Sequence, residues 1–387
     1  MEENNVLRFA YVGSFDPWTK GHQSVAEKFL KKHPDLKLEI ILGVNPKKEY
    51  TFKPFERALF IERGLELYKG RFDISFTKEP VSDYLYEKNI PFIIKGIRNA
   101  RDAEYESEMA EINASLVGEP ITLLVPQTDP ELNKVSSSNL KMLSHFGLST
   151  ERYASSLVRE ALKLRISDRL FVGVCGGIGT GKSTLCKALA ERNKEIKHIN
   201  MDGYGKTILN STDDVPEFAK KVRLELDDLF GNELMNKDGT IDRKRLGDIV
   251  FEEKRKLDLL TELMLEPILY LMYKDIKTIG SGIVLIESAI LIERGLTELV
   301  DDNVVLVNVP KKEQVRRLRE RGLSDEQIGK RLDSQATYED NLMKIQYLQS
   351  KEHHRIFLDV ESGDKHYLPN IESYLLREYD KRRQMIY

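Results

Sequence analysis

Short apolar runs alternate with amphipathic stretches along the whole chain. The first part of the sequence has apolar runs of strand length at 9–15, 38–44, 72–76, 91–97 and 121–125. Stretches with the helical spacing of apolar residues lie between and after them, at 22–32, 55–68, 103–116 and 137–145. Strands that alternate with helices favour a parallel sheet covered by helices on both faces. The pattern therefore predicts a doubly wound α/β domain over residues 1–150.

A second alternation begins near residue 169. Apolar runs of strand length lie at 170–175, 197–201, 283–287, 304–309 and 356–360, and the long stretch 213–277 is largely helical in pattern. Between the two alternations, residues 149–167 are polar with helical spacing. We predict a helical connector over 151–168 and a second doubly wound parallel-sheet domain over 169–387. Two domains agree with a length of 387 residues, because domains usually hold about 100–200 residues.

The composition narrows the class of protein. The formal net charge is −3 and there is no long run of like charges, so nothing favours binding to nucleic acid. No apolar run approaches the ~20 residues that a membrane-spanning helix needs. The two cysteines, Cys175 and Cys186, are too few for a disulfide framework and favour a reducing compartment. We expect a soluble, cytoplasmic protein with small-molecule partners, and the sequence leaves its oligomeric state open.

The most specific motif lies in the middle of the chain. Residues 176–183 read GGIGTGKS, which matches the phosphate-binding pattern G-x-x-x-x-G-K-[ST]. An apolar run precedes the motif and a helical stretch follows it, as required for backbone N–H groups to wrap phosphate oxygens at a helix N-terminus. In such loops the lysine, here Lys182, reaches the terminal phosphates of ATP, and the hydroxyl, here Ser183, holds Mg²⁺. The predicted ATP-binding residues of this loop are Gly177, Ile178, Gly179, Thr180, Gly181, Lys182, Ser183 and Thr184.

If this loop serves phosphoryl transfer, a further group must stand beside the acceptor hydroxyl. The apolar run 197–201 places Asp202 at the carboxyl edge of the predicted sheet, where a carboxylate can act as general base. The other interpretation of Asp202 is an N-cap for the next helix. Glu287 ends another strand at the same edge and is open to a structural or a functional interpretation. The basic stretch 316–324 is either a solvated helix face or a lid that closes arginines over ATP.

A different motif occupies the first domain. Residues 13–22 read GSFDPWTKGH, so that a strand ends, Asp16-Pro17 turns the chain, and a helix opens at His22. A histidine at a helix N-terminus faces any anion bound there, which suits the transfer of a nucleotidyl group between phosphates. The alternative is an ordinary turn followed by a helix cap.

Further polar segments favour the functional interpretation. Another predicted strand delivers Lys95 and Arg98 to the carboxyl edge of the sheet, where doubly wound folds bind ligands. Serines at 136–138 begin a predicted helix and offer hydroxyl and N–H groups to phosphates, although an ordinary N-cap explains them equally well. Lys48 follows a third strand and is either a phosphate ligand or a surface charge.

Over residues 8–147 these segments together resemble phosphopantetheine adenylyltransferase. The resemblance implies a Rossmann-like nucleotidyltransferase domain in which His22 steadies the transition-state phosphate. It assigns Ser14, Lys48 and Lys95 to phosphopantetheine. It assigns to ATP the residues Phe15, Thr19, Gly96, Ile97, Arg98, Glu106, Leu132, Asn133, Lys134, Val135, Ser136, Ser137 and Ser138. Lys95 stands where the family usually has arginine, and Thr19 stands where related nicotinamide-nucleotide adenylyltransferases have histidine.

Residues from about 170 to 365 resemble dephospho-CoA kinase. Besides the phosphate-binding loop, the matching stretches are 230–243, 321–324 and 331–337. The resemblance implies a P-loop kinase domain in which Arg321 and Arg331 join the loop in binding ATP. The chain departs from the family pattern at Asn200, where an aspartate is common, and at Glu266, where histidine usually precedes the proline.

The two resemblances name consecutive reactions, since the product of the first is the substrate of the second. They predict an enzyme that makes dephospho-CoA from 4′-phosphopantetheine and ATP, and then phosphorylates it to CoA. One alternative is a nicotinamide-nucleotide adenylyltransferase fused to a ribosylnicotinamide kinase, against which Thr19 and the serines at 136–138 argue. Another is a nucleotide sensor with an inactive kinase half, which Asn200 leaves open.

Overall fold

The computed structural model describes residues 7–44, 48–134, 136–212, 216–231, 233–351, 355–362 and 367–386. The chain divides into two compact units, of which the first ends at Ile166 and the second begins at Ser167. The helix Ser156–Ser167, which the sequence pattern placed in a connector, therefore lies almost entirely in the first unit. It is amphipathic rather than merely polar, and Val158 and Leu162 on its apolar face are fully buried.

The first unit is a parallel α/β unit. Its strands are β1 Phe9–Gly13, β2 Leu38–Gly43, β3 Phe72–Thr77, β4 Phe92–Ile97 and β5 Ile121–Pro126. Its helices are α1 Lys20–Lys32, α2 Pro54–Gly64, α3 Val81–Glu87, α4 Ala100–Ala114, α5 Ser137–His145 and α6 Ser156–Ser167. The predicted strands are confirmed to within two residues at each end. Helix α3 was not predicted, because seven residues give too short a pattern to separate from a loop.

The sheet of the first unit has the strand order β3-β2-β1-β4-β5, and every pairing is parallel. The central strand β1 pairs with β2 on one side and with β4 on the other, so the direction of winding reverses beside it. Ala10, Ile40 and Ile94 on these three strands are completely buried. Ligands of open α/β sheets bind at such a reversal, outside the carboxyl ends of the strands.

The second unit repeats the parallel architecture and adds helices. Its strands are β6 Arg169–Cys175, β7 Ile196–Asn200, β8 Gly282–Glu287, β9 Val304–Asn308 and β10 Phe357–Glu361. Its helices are α7 Lys182–Arg192, α8 Met201–Asn210, α9 Glu217–Phe230, α10 Arg243–Val250, α11 Lys254–Ile276, α12 Lys311–Glu320, α13 Asp325–Asp333, α14 Tyr338–Lys351 and α15 Tyr367–Ile386. The sheet order is β10-β9-β6-β8-β7, again with parallel pairings. Strand β6 is buried along its entire length and ends at the phosphate-binding loop.

Two hydrophobic clusters build the second unit. One lies on the sheet and includes Phe171, Ile286 and Leu306. The other joins helices α8 to α11 and includes Leu226 and Leu246, which are 0% and 3% exposed. The predicted fold class of two parallel-sheet α/β domains is confirmed. Within the described residues, no helix is both long enough and apolar enough to cross a membrane.

Candidate active sites

The first unit has a cavity of about 400 Å³ at the carboxyl ends of β1 and β4. Most residues that the sequence assigned to this site line it: Ser14, Phe15, Thr19, His22, Lys48, Lys95, Gly96, Arg98, Glu106, Ser136, Ser137 and Ser138. Ile97, Leu132, Asn133 and Lys134 are not among its lining residues, and Val135 lies outside the described residues. Lys134 instead pairs with Glu131 at the surface, across 2.9 Å. Motifs more than 110 residues apart in the chain thus meet in one cavity.

His22 is fixed by a reciprocal helix cap. The Thr19 hydroxyl accepts a hydrogen bond from the His22 backbone N–H (3.3 Å), and His22 Nδ1 accepts one from the Thr19 backbone N–H (3.1 Å). Burial, with the nearby charge of Arg98 adding to it, lowers the pKa of His22 to about 4. The imidazole is therefore neutral near pH 7. Because Nδ1 accepts, the proton sits on Nε2, which is left to donate to a bound phosphate.

Asp16 holds the turn that precedes this helix through long-range contacts that the sequence does not predict. Its carboxylate is 1% exposed and accepts hydrogen bonds from the backbone N–H groups of Thr51 and Phe52 at 3.0 and 2.9 Å. Lys141 of α5 completes the set with an ion pair to Asp16 at 2.9 Å. The carboxylate thus ties three parts of the first unit to one point beside the cavity.

The backbone that follows β1 is strained, and a buried arginine holds it in place. Phe15 adopts a positive φ of 45°, which is uncommon for a residue with a side chain. The fully buried Arg57 donates a hydrogen bond to the Ser14 carbonyl at 2.6 Å. A Cβ on Gly13 would lie 2.7 Å from the Phe15 ring, so this position has no room for a side chain. Strain that the surrounding structure maintains is common at functional sites.

Two cationic side chains of the cavity, those of Arg98 and Lys95, are paired with carboxylates. Arg98 makes a two-pronged contact with Asp102, at 2.6 and 3.1 Å, and Lys95 lies 3.8 Å from Glu106. Asp102 also lines the cavity and was not predicted. These pairs keep the long side chains oriented and leave them able to turn towards a phosphate.

Two of the three serines that line the cavity have different structural roles. Ser136 is the N-cap of α5 and accepts from the Asn139 N–H at 3.1 Å. The Ser137 hydroxyl donates to the Pro17 carbonyl at 2.9 Å, which ties α5 to the turn after β1. Both interpretations of the cluster are thus compatible with the geometry, because the same residues cap a helix and line the cavity.

The second unit places the phosphate-binding loop between β6 and α7. Gly181 is the N-cap of α7 with a φ of 101°, and Gly179 has a φ of 79°. Glycine adopts this left-handed region without steric cost. The Thr180 hydroxyl donates to the Gly177 carbonyl at 2.9 Å and closes the loop. The first N–H groups of α7 are therefore free to bind an anion.

Lys182 folds back over the loop. Its ammonium group donates to the carbonyls of Gly176 and Gly177 at 2.8 and 2.9 Å, and the side chain is buried. Burial lowers the pKa of Lys182, while the charges of Asp202 and Glu287 oppose this effect. The cation thus sits at the centre of the loop, where the terminal phosphates of a nucleotide would lie.

Ser183, Glu287 and His198 form a hydrogen-bonded chain at the end of the sheet. The Ser183 hydroxyl donates to Glu287 Oε1, and His198 Nε2 lies 2.9 Å from Glu287 Oε2. Burial alone would raise the pKa of Glu287, but the hydrogen bonds from His198 and Ser183 outweigh it, so that the pKa falls below its usual value. Glu287 is therefore an ionised carboxylate beside the loop.

Asp202 faces the same cavity as Lys182. Asn200, not Asp202, caps helix α8, since its side chain accepts from the Gly203 N–H at 2.8 Å. The capping interpretation of Asp202 is therefore wrong, and this carboxylate is left in the cavity, 3.5 Å from the Ala289 N–H. Burial raises the pKa of Asp202, although Lys182 counteracts it. A raised pKa suits a carboxylate that accepts a proton.

Cavities lie on both sides of the phosphate-binding loop. The one that holds Asp202 has about 520 Å³ and is lined by most of the residues predicted for this site: Ile178, Gly179, Gly181, Lys182, Ser183, Thr184, Asp202, Arg321 and Arg331. The other has about 390 Å³ and is lined by Arg317, Ser362 and Tyr367 together with Arg321. Gly179, Gly181 and Thr184 border both cavities. Gly177 and Thr180 line neither and instead shape the loop.

Two glutamines outside the loop hold it in place, a role that the sequence does not predict. Gln335 Oε1 accepts from the Ile178 N–H at 2.9 Å, and Gln314 Nε2 donates to the Ile178 carbonyl at 2.7 Å. The backbone N–H and the carbonyl of Ile178 are thereby both held in place. Gln335 lies in the stretch 331–337 that resembles dephospho-CoA kinase. The resemblance singled out this stretch but did not indicate the contact with Ile178.

Family comparisons agree with this division of the chain. The model of the Cytidylyltransferase-like family matches residues 10–143. The model of the family Dephospho-CoA kinase matches residues 170–351. Each match thus lies within one unit and covers one set of motifs, although the second ends before β10.

The curated relatives also fall into two groups, each of which matches less than half of the chain. A dephospho-CoA kinase of Dehalococcoides mccartyi is 38% identical over 175 residues, which are 44% of this chain and 83% of that protein. A dephospho-CoA kinase of Carboxydothermus hydrogenoformans is 34% identical, covering 44% of this chain and 80% of that protein. A phosphopantetheine adenylyltransferase of Clostridium perfringens is 30% identical over 158 residues, which are 41% of this chain and 94% of that protein.

The folds and sites define a chain of two nucleotide-dependent transferase units. The chain belongs to the phosphopantetheine adenylyltransferase family through its first unit and to the dephospho-CoA kinase family through its second. Both resemblances that the sequence carried are therefore confirmed. Nothing in the described residues favours the fusion for nicotinamide nucleotides or the inactive sensor.

Proposed function

We propose that this protein carries out the last two steps of coenzyme A biosynthesis. The first unit would transfer the adenylyl group of ATP to 4′-phosphopantetheine, giving dephospho-CoA and pyrophosphate. The second would phosphorylate the ribose 3′-hydroxyl of dephospho-CoA, giving CoA and ADP. The observation that carries the proposal is that each unit has its own cavity at the carboxyl edge of its own sheet, lined by the motif of one family.

Adenylyl transfer needs positioning and charge neutralisation more than covalent help from the protein. A phosphate oxygen of 4′-phosphopantetheine attacks the α-phosphorus of ATP, and the bond to pyrophosphate breaks. His22 donates its Nε2 proton as a hydrogen bond to the α-phosphate, where charge accumulates in the transition state. Lys95 and Arg98 turn from their carboxylate partners to the two substrates, and Lys48 at the rim of the cavity attracts the acceptor phosphate.

The second unit suits a nucleotide that spans the phosphate-binding loop. The nucleoside of ATP would occupy the cavity beside Ser362 and Tyr367, with Arg317 and Arg321 above it. The phosphates would lie on the N–H groups of the loop, and Lys182 would turn from the loop carbonyls to them. The acceptor would then occupy the cavity that holds Asp202 and Arg331.

In the phosphoryl transfer the ribose 3′-hydroxyl attacks the γ-phosphorus and ADP leaves. Asp202 orients this hydroxyl and takes its proton. The Ser183 hydroxyl and the carboxylates of Asp202 and Glu287 are the oxygen donors that Mg²⁺ prefers, and they stand together at the end of the loop. When bound there, Mg²⁺ would offset the charge of the β- and γ-phosphates.

Each half reaction can be tested on the full chain. With dephospho-CoA and Mg-ATP, release of ADP and formation of CoA are expected. With 4′-phosphopantetheine and Mg-ATP, pyrophosphate and dephospho-CoA are expected, whereas nicotinamide mononucleotide as the acceptor should give no pyrophosphate. Absence of turnover with either CoA precursor at saturating ATP would reject the corresponding half of the proposal.

A further inference from the structure

Three side chains with metal-binding atoms meet behind the phosphate-binding loop, and only one of them, Glu287, has a part in the proposed chemistry. Cys186 Sγ, a ring nitrogen of His198 and a carboxylate oxygen of Glu287 all lie within 4.8 Å of one another. They come from α7, β7 and β8, in that order. Cys186 is one helical turn after Ser183, so both point from the same face of α7 towards the end of β8.

The surroundings of these groups suit a buried ion. Cys186 is completely buried, and its thiol makes no hydrogen bond within the described part of the chain. The side chains of His198 and Glu287 are 13% and 2% exposed. Glu287 also lines the 520 Å³ cavity, which gives an ion a path from solvent. A group of one sulfur, one nitrogen and one oxygen donor excludes Mg²⁺ as the fitting ion, because Mg²⁺ takes oxygen ligands.

We propose that Cys186, His198 and Glu287 form a site for a thiophilic divalent cation, of which Zn²⁺ is the representative. Thiolate, imidazole and carboxylate are the ligands of Zn²⁺ in proteins, at roughly 2.0–2.3 Å from the ion. Tetrahedral ligand atoms are then about 3.3–3.8 Å apart, so side-chain shifts of about 1 Å close the site. The thiol releases its proton to solvent when the ion binds, and a water molecule takes the fourth position.

Occupancy of this site would act on the second unit alone. Glu287 now accepts the hydrogen bond of the Ser183 hydroxyl, and an ion held by Glu287 draws this carboxylate away from Ser183. Zn²⁺ therefore inhibits phosphorylation of dephospho-CoA and leaves adenylyl transfer unchanged. This consequence rests on the function proposed above, whereas binding of the ion does not.

Binding can be measured on the full chain without substrates by titration with Co²⁺ alone. A thiolate ligand gives a charge-transfer band in the near ultraviolet, and Zn²⁺ should remove it at one equivalent. Cys186→Ala should abolish the band. Cys175→Ala is the matched control, because it changes the other buried cysteine of the chain and should keep the band. His198→Gln, which can still donate to Glu287, should weaken binding at least about 10-fold.

Absence of the band in the unmodified protein, or its persistence in Cys186→Ala, would overturn the proposal. If Cys186→Ala does not fold, His198→Gln decides, and unchanged Co²⁺ affinity in that variant contradicts the site. Because the titration contains no nucleotide, a missing band leaves the kinase proposal intact. Conversely, a band in a protein that forms no CoA would reject only the proposed reaction.

Discussion

The Thr19 backbone N–H donates a hydrogen bond to His22 Nδ1 across 3.1 Å, and this bond determines which nitrogen of the imidazole carries the proton. With Nδ1 as an acceptor, the proton is on Nε2, which we propose as the donor to the phosphate of the substrate. The residue that completes the capping box of α1 is thus also the one we assign to transition-state stabilisation.

Replacement of His22 should separate these two roles. His22→Ala removes both, and adenylyl transfer should fall about 10²–10³-fold, as for the loss of one donor to developing charge. Glutamine at this position of a helix can still complete a capping box, so His22→Gln should keep the stability of the first unit while losing most of the rate. Pyrophosphate release measures the rate. Full activity in both variants would contradict the assigned role.

The low pKa of His22 should make the first unit sensitive to acid. The folded pKa is about 4 and the ordinary value is 6.5, so between these values the unfolded chain binds more protons. The contribution of neutral His22 to the free energy of unfolding is complete above pH 6.5 and is lost as the pH falls. At pH 5 the loss is about 2 kcal/mol. The His22→Gln variant should lack this contribution to the acid-induced loss of unfolding free energy.

A specific probe of this effect exists in the chain. Trp18 is the one tryptophan in the sequence, and its ring centroid lies 5.6 Å from that of His22. Its fluorescence during urea unfolding therefore reports on the first unit. An equal loss of unfolding free energy between pH 7.5 and pH 5 in the unmodified protein and in His22→Gln would exclude the shifted histidine as the cause.

Substitution of Asp202 should affect the rate of CoA formation, whereas substitution of Asn200 should affect stability. Asp202→Asn removes the proposed base, so CoA formation from dephospho-CoA should fall about 10²–10⁴-fold. Asn200→Asp keeps a good N-cap for α8, and the rate should stay within a few-fold. Asn200→Ala should cost about 1 kcal/mol of unfolding free energy through loss of the cap. A normal rate in Asp202→Asn would show that another group accepts the proton.

The two glutamines that hold Ile178 should control ATP affinity in the second unit. Gln335→Ala or Gln314→Ala removes one hydrogen bond to the loop, and each should raise the KM for ATP in CoA formation by about 2–10-fold. Pyrophosphate release by the first unit serves as the internal control and should not change. An unchanged KM in the double variant would mean that the loop needs neither contact.

Local patterns were sufficient to predict the strands and the two phosphate-binding motifs. The buried strand before Gly176 and the helix after Gly181 follow from apolar spacing and glycine chemistry, which act over a few residues. Helix α3 could not be predicted because its seven residues are too few to show a helical periodicity.

Long-range contacts could not be predicted from one sequence. Gln335 reaches Ile178 across 157 positions of the chain, and Lys141 reaches Asp16 across 125. Nothing in the local sequence indicates which distant group Gln335 or Lys141 contacts. Asn200 shows a third limit, because its departure from the family pattern pointed to a lost carboxylate, whereas the structure shows a cap that asparagine forms as well as aspartate does.

The central claim is that one chain holds two separate and consecutive sites. It is tested most directly by incubating 4′-phosphopantetheine with Mg-ATP and following all products by mass spectrometry in Lys182→Ala and His22→Ala. We predict that Lys182→Ala accumulates dephospho-CoA without CoA. His22→Ala should form both about 10²–10³-fold more slowly from 4′-phosphopantetheine, yet convert added dephospho-CoA to CoA at the normal rate. Loss of dephospho-CoA formation in a folded Lys182→Ala protein would contradict the account.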